Sequence, residues 1–152
     1  MDVKIEKVPA RPTACVRVHT EVGHIGEAFR TELPKVASHV AEVGGVIVGP
    51  PYVRYLDYGP AGVDMEVGFP TATLIPHDGE VVPAELPSVE AAVATHRGGY
   101  DRLPATYEEL ERWIRAHGHE PDRAMWEVYL TDPSADPDTS HWQTQIVWPL
   151  KR

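Results

Sequence analysis

Cysteine is almost missing from this chain: Cys15 stands alone among 152 residues. A single thiol in a strand-like run forms no internal disulfide, so the fold must rest on its core rather than on covalent staples. Long apolar runs are missing as well. Nothing approaches the roughly 20 residues that a membrane-spanning helix needs, and the first residues lack the basic and apolar regions of a signal peptide. These absences place the protein in the cytoplasm and exclude an anchor or a channel. Positive charge is scarce: Lys and Arg number 14 against 23 Asp and Glu, a net charge of −9. No segment gathers cations as a groove reader would, which excludes direct nucleic-acid binding. Low-complexity tracts are absent too. With 42% hydrophobic residues, the chain reads as one ordinary globular domain spanning 1–152.

Several familiar chemistries also lack their signatures. The chain has eight histidines, yet His117-Gly118-His119 falls at a helix stop without a thiolate or an HExxH-type partner, so no metal site is expected. His19 and His96 are read as equivalent strand ends, a position reused in two copies or a polar rim to a cleft. No Ser or Cys nucleophile motif accompanies them. Gly44-Gly45-Val46-Ile47-Val48-Gly49 follows a helix and enters a strand, the reverse of the dinucleotide-binding order. Asp132, Asp136 and Asp138 lack the calcium-loop spacing. No cofactor is expected.

What the chain does have is a plan used twice. Repeat one, about 1–78, carries the run Ala14 to His19, an apolar-periodic stretch, Tyr52 to Asp57, and Asp64 to Pro70. Repeat two, about 79–152, answers with Ala91 to His96, a helix around Trp113, Trp126 to Leu130, and Gln143 to Pro149. The pattern predicts an α+β fold of two pseudo-symmetric β-α-β-β repeats, forming antiparallel sheet with two flanking helices and a central ligand cleft. At the opening of repeat one, Val3 to Val8 alternates as a half-buried strand. Ile25, Phe29, Leu33, Val36, Val40 and Val43 make one apolar helix face, ended by Gly44-Gly45, with Pro34 predicting a kink or a second helical start. Gly59-Pro60-Ala61-Gly62 reads as a hairpin turn. Thr106 and Glu109 have capping-box spacing, which predicts that helix two starts there and runs with Tyr107, Leu110, Trp113, Ile114 and His117 inward until Gly118. Thr131 to Ser140 reads as a surface loop.

Chemistry concentrates on the tyrosine-bearing strands. Alternation puts Glu127 and Tyr129 on one face and Trp126, Val128 and Leu130 on the other. The repeat aligns Tyr129 with Tyr55, and Asp64 shares a face with Glu66, whose counterpart is Gln145. Rings with a carboxylate suit a flat, apolar, often cationic ligand, each ring contributing roughly 0.5–2 kcal/mol to a cation. The candidate ligand-binding residues are Tyr52, Tyr55, Glu66, Phe69, Trp126, Glu127, Tyr129, Trp142 and Trp148. Four Trp and six Tyr are equally the stuff of cores and cross-strand pairs, and Trp113, on an inner helix stripe, is read as core.

The order and spacing of Gly49-Pro50-Pro51-Tyr52, Asp64 to Pro70, His96-Arg97-Gly98-Gly99-Tyr100, Thr106-Tyr107 to Trp113, Trp126 to Pro133, and Thr144 to Leu150 resemble the GyrI-like family, the effector-binding domain of bacterial AraC- and MerR-type transcription activators. The resemblance spans nearly the whole chain. It implies the duplicated fold with a ligand cleft, and it places the family's acidic pocket residue and neighbouring tyrosine on Glu127 and Tyr129. Gln145 stands where the last strand often has a second glutamate, which argues against a dicationic ligand. With no helix-turn-helix segment, the chain reads as a stand-alone member that binds planar hydrophobic compounds. Two alternatives stay open. One is a hydrolase opening the cyclopropane ring of DNA-alkylating natural products, with Glu127 orienting or deprotonating water and Tyr129 hydrogen-bonding the carboxylate or the developing oxyanion. The other is a protein-binding enzyme inhibitor. The oligomeric state is left open.

Overall fold

The computed structural model describes residues 2–77, 79–132 and 135–152. Among them the chain forms, in order, β1 (Val3–Val8), β2 (Arg11–Thr20), α1 (Ile25–Glu42), β3 (Tyr52–Gly59), β4 (Gly62–Pro70), β5 (Val82–Leu86), β6 (Val89–Arg97), α2 (Leu103–Ala116), β7 (Trp126–Tyr129) and β8 (Gln143–Pro149). The class is α+β, as the segment pattern predicts, and every strand pairing below is antiparallel. The elements fall into two compact units, one of Pro9–Ser88 and one of the residues through Val8 together with Val89–Arg152.

In the Pro9–Ser88 unit the strand order is β3-β4-β2-β5. Helix α1 packs on the sheet through Val36 and Val40, which join Ala14, Val16, Ile75 and Val81 in a buried cluster, with Phe69 against it. Pro34 sits inside a continuous helix rather than dividing it. An interior proline costs about 3 kcal/mol, and fully burying two valines returns about 1.5–3 kcal/mol each, so packing outweighs the lost backbone bond. Gly44, at φ +73°, ends the helix, and the Gly45 amide donates to the Val40 carbonyl at 2.8 Å. The hairpin turn falls between Gly59 and Gly62 as its glycines predict.

The other unit repeats this order as β7-β8-β6-β1. Its core under α2 joins Leu110 and Ile114 to Ala92, Ala94, Ile146 and Leu150. The strand registers match copy for copy: Arg54 lies opposite Glu66 and Tyr55 opposite Met65, while Val128 lies opposite Gln145 and Tyr129 opposite Thr144. The lead-in strands are exchanged. β1 precedes β2 in the chain but pairs with β6, and β5 precedes β6 but pairs with β2.

Two expectations need correction here. Helix α2 starts at Leu103, a turn before Thr106, because Pro104 presets the first-turn backbone; no side chain caps it. The Thr106 hydroxyl is instead bonded to His96 at 2.7 Å. Nor are His19 and His96 equivalent. His96 lies opposite Thr144, whose counterpart Met65 lies opposite Val18, so the two histidines are one residue out of step. A one-residue offset reverses the sheet face. His96 is accordingly buried at 5% exposure, whereas His19 is exposed and paired with Asp64 at 2.6 Å. The Thr131–Ser140 segment is largely exposed and closes with a 3₁₀ turn over Thr139–His141; its Pro133 and Ser134 lie outside the described residues.

Candidate ligand-binding site

Glu127 is the most unusual side chain in the α2 unit: a carboxylate 3% exposed, in the middle of a four-residue strand. Register explains where it points. Glu127 lies opposite Ile146 and Tyr129 opposite Thr144, and Ile146 belongs to the core beneath α2, so Glu127 and Tyr129 share the face that α2 covers. A buried carboxylate is costly unless its oxygens are hydrogen-bonded. Here the Tyr129 phenol donates to Oε1 at 2.6 Å, and the phenol of Tyr107, from α2, donates to Oε2.

Further rings extend from those two tyrosines. Tyr100 meets Tyr129 edge-on with centroids 5.8 Å apart and packs on Trp142 at 5.0 Å, while Tyr107 meets Trp148 edge-on at 5.9 Å. The Trp142 and Trp148 indole N–H groups donate to the carbonyls of Asp136 and Asp122, at 2.7 and 2.9 Å. With their polar atoms committed to backbone, these tryptophans offer ring surface. Burial, then the charges of Glu127 and Asp132, push the Tyr100 phenol above the usual tyrosine range. On the same face, opposite Tyr129, the buried Thr144 hydroxyl has no hydrogen-bond partner among the described residues.

The remaining predicted residues fall elsewhere. Trp126 lies opposite Val147, one step from the Glu127–Ile146 pair, and so occupies the other face of β7, buried at 4% exposure. Tyr52, Tyr55, Glu66 and Phe69 belong to the Pro9–Ser88 unit, and they divide between its faces. Phe69 packs toward α1, and Tyr55, by register, shares that side. Tyr52 and Glu66 lie on the opposite side. There the Tyr52 phenol oxygen stands 2.9 Å from the Thr13 hydroxyl and 3.5 Å from the Glu66 carboxylate, and Arg17 Nε donates to Glu66 at 3.2 Å. Glu66 therefore already has a cation of its own chain. Two members of the Glu127 constellation, Tyr100 and Tyr107, were not among the sequence candidates. Tyr107 reads as core because it lies on the inner helix stripe, and the only signal for Tyr100 is its place after Gly98-Gly99.

No group of His, Cys, Asp and Glu among the described residues has metal-holding geometry. No helix among them is long and apolar enough to cross a membrane.

A family model described as the GyrI-like small-molecule-binding domain matches residues 1–151. Among solved structures, the C-terminal domain of EcmrR superposes with a TM-score of 0.88 at 18% identity, covering 99% of this chain and 98% of that one. Against EcmrR in its DNA complex the chain spans only 57% of the relative's length, with a TM-score of 0.86 at 18% identity. SAV2435, solved bound to tetraphenylphosphonium, gives 0.68 at 11% identity over 99% of this chain and 94% of that one. A hydrolase encoded by lin2189 from Listeria innocua gives 0.72 at 14% identity, over 98% and 91%. These identities speak to fold alone. Among curated proteins, none matches by sequence.

Proposed function

The chain belongs to the GyrI-like small-molecule-binding family, and from that premise we propose that it is a cytoplasmic binder holding planar, hydrophobic, cationic compounds on the rings around Glu127. One observation carries the reading: a buried carboxylate whose two oxygens accept phenol hydrogen bonds from Tyr107 and Tyr129. The phenols keep a negative charge tolerable in an apolar setting, and the rings of Tyr100, Trp142 and Trp148 supply contact area. Cation attraction to a ring adds roughly 0.5–2 kcal/mol each. The occurrence of tetraphenylphosphonium in SAV2435 supports a cationic probe. Glu66, already paired with Arg17, is the poorer charge selector.

The test compares a planar cationic dye with a neutral dye of the same size. Glu127→Gln is expected to weaken the cationic dye about tenfold or more, a difference of about 1.4 kcal/mol, and the neutral one far less. Equal losses would remove Glu127 as the charge selector. The hydrolase alternative uses the same groups, with a second lone pair of a Glu127 oxygen on the attacking water and Tyr129 on the carboxylate. Mass spectrometry of a cyclopropane-bearing alkylator mixed with the protein separates the two, because ring-opened product forms only by turnover.

A further inference from the structure

His96 is buried, lies outside the Glu127 ring cluster, and uses both ring nitrogens. Nε2 stands 2.9 Å from the Gly99 carbonyl, and Nδ1 stands 2.7 Å from the Thr106 hydroxyl. A carbonyl only accepts, so Nε2 carries the proton and donates; in the neutral ring the Thr106 hydroxyl then donates to Nδ1. The imidazole is thus held by helix α2 and in turn holds the backbone of Gly99. The next residue is Tyr100, whose ring meets both Tyr129 and Trp142.

The 3₁₀ turn Tyr100–Arg102 that carries Tyr100 is joined to β6 by a glycine pair. Gly98 is at φ +113° and Gly99 is extended, and two consecutive glycines have the widest backbone freedom of any pair. Three bonds remove that freedom: the Gly98 amide donates to the Trp142 carbonyl at 2.9 Å, and the Gly99 carbonyl accepts from the Arg102 amide at 3.3 Å and, at the shorter 2.9 Å, from the His96 ring. We propose that His96 is a positioning residue for ligand selection, which sets the Tyr100 ring against Tyr129 and Trp142 by holding Gly99 on an imidazole locked by Thr106. This rests on the reading of the Glu127 rings as the ligand site.

Binding of ethidium, a planar cationic dye, is measured by calorimetry on the wild type, His96→Ala, His96→Gln, Tyr100→Ala and the double variant His96→Ala/Tyr100→Ala, each well below its melting temperature. Glutamine retains a donor for Gly99 and an acceptor for Thr106. His96→Ala is expected to weaken binding about tenfold, His96→Gln to recover most of that loss, and His96→Ala to add less than about twofold in the Tyr100→Ala background, since coupled residues are not additive. Additive losses would overturn the proposal, because a general structural effect would persist without the Tyr100 ring. A wild type that binds no ethidium would count against the ligand reading instead. In that event the ligand-free proteins decide. Nuclear Overhauser contacts between the Tyr100 and Tyr129 rings are expected to vanish in His96→Ala and survive in His96→Gln, and their survival in His96→Ala would overturn the positioning role.

Discussion

At the scale of the residue, burial sets reactivity. Cys15 is fully buried, and the loss of hydration, with the charge of Glu66 close by, pushes its thiol up to about 12. Thiolate is the reactive form. Folded protein at pH 8 is therefore expected to resist thiol reagents for as long as it stays folded, and the labelling rate should follow opening of the β2 region as denaturant is added. Rapid labelling under native conditions would contradict the burial. Tyr100 makes a second case. Its phenol is held neutral by burial first and by Glu127 and Asp132 second, so the folded state keeps a proton that the unfolded state loses near the ordinary value of about 10. Stability should fall as pH rises beyond that value. In a phenolate absorbance titration Glu127→Gln is expected to bring one late-titrating tyrosine earlier, and Tyr100→Phe to remove it.

Elements are decided by close approach as much as by propensity. Gly68 in β4 lies opposite both Cys15 and Tyr52, and a Cβ there would stand 2.1 Å from the Ala14 carbonyl oxygen. Backbone cannot yield as a flexible side chain can, so Gly68→Ala is expected to destabilise by about 2–4 kcal/mol, in the range of severe single substitutions, readable as a lowered denaturation midpoint with an unchanged slope. At this scale the sequence was a good guide. Period-two alternation marks β1 and β7, apolar spacing marks α1 and α2, and Gly44-Gly45 and Gly118 mark their ends. Glu127 and Tyr129 share a face by alternation alone. Other features needed coordinates. Thr106 fits two roles, cap or partner of His96, and only the distance between α2 and β6 chooses. The one-residue offset between His19 and His96 is invisible to a repeat aligned by residue type, because strand register is a property of the partner strand. Tyr107 carries the periodicity of a core residue, and nothing in that pattern says that its hydroxyl ends on a carboxylate.

For the whole molecule, the exchanged lead-in strands matter most. β1 covers the edge of β6 over Val3 to Val8, and Val3 packs against the core under α2. Removal of residues 2–8 is expected to lower the melting temperature by about 5 °C or more, given about 2–4 °C per kcal/mol at this chain length. It should also raise hydrogen exchange at the β6 and β8 amides well before those of β2 and β4. Equal exchange throughout would mean that the two units do not open separately. The same connectivity imposes a sequence of events on synthesis. When the ribosome has released Ser88, every strand of the Pro9–Ser88 unit is out and free to condense, but β1 has no mate until β6 follows. Through that wait Lys4, Glu6 and Lys7 keep a bare strand edge dispersed in water rather than sticking to its neighbours, so the charges of β1 guard the nascent protein before they belong to any fold.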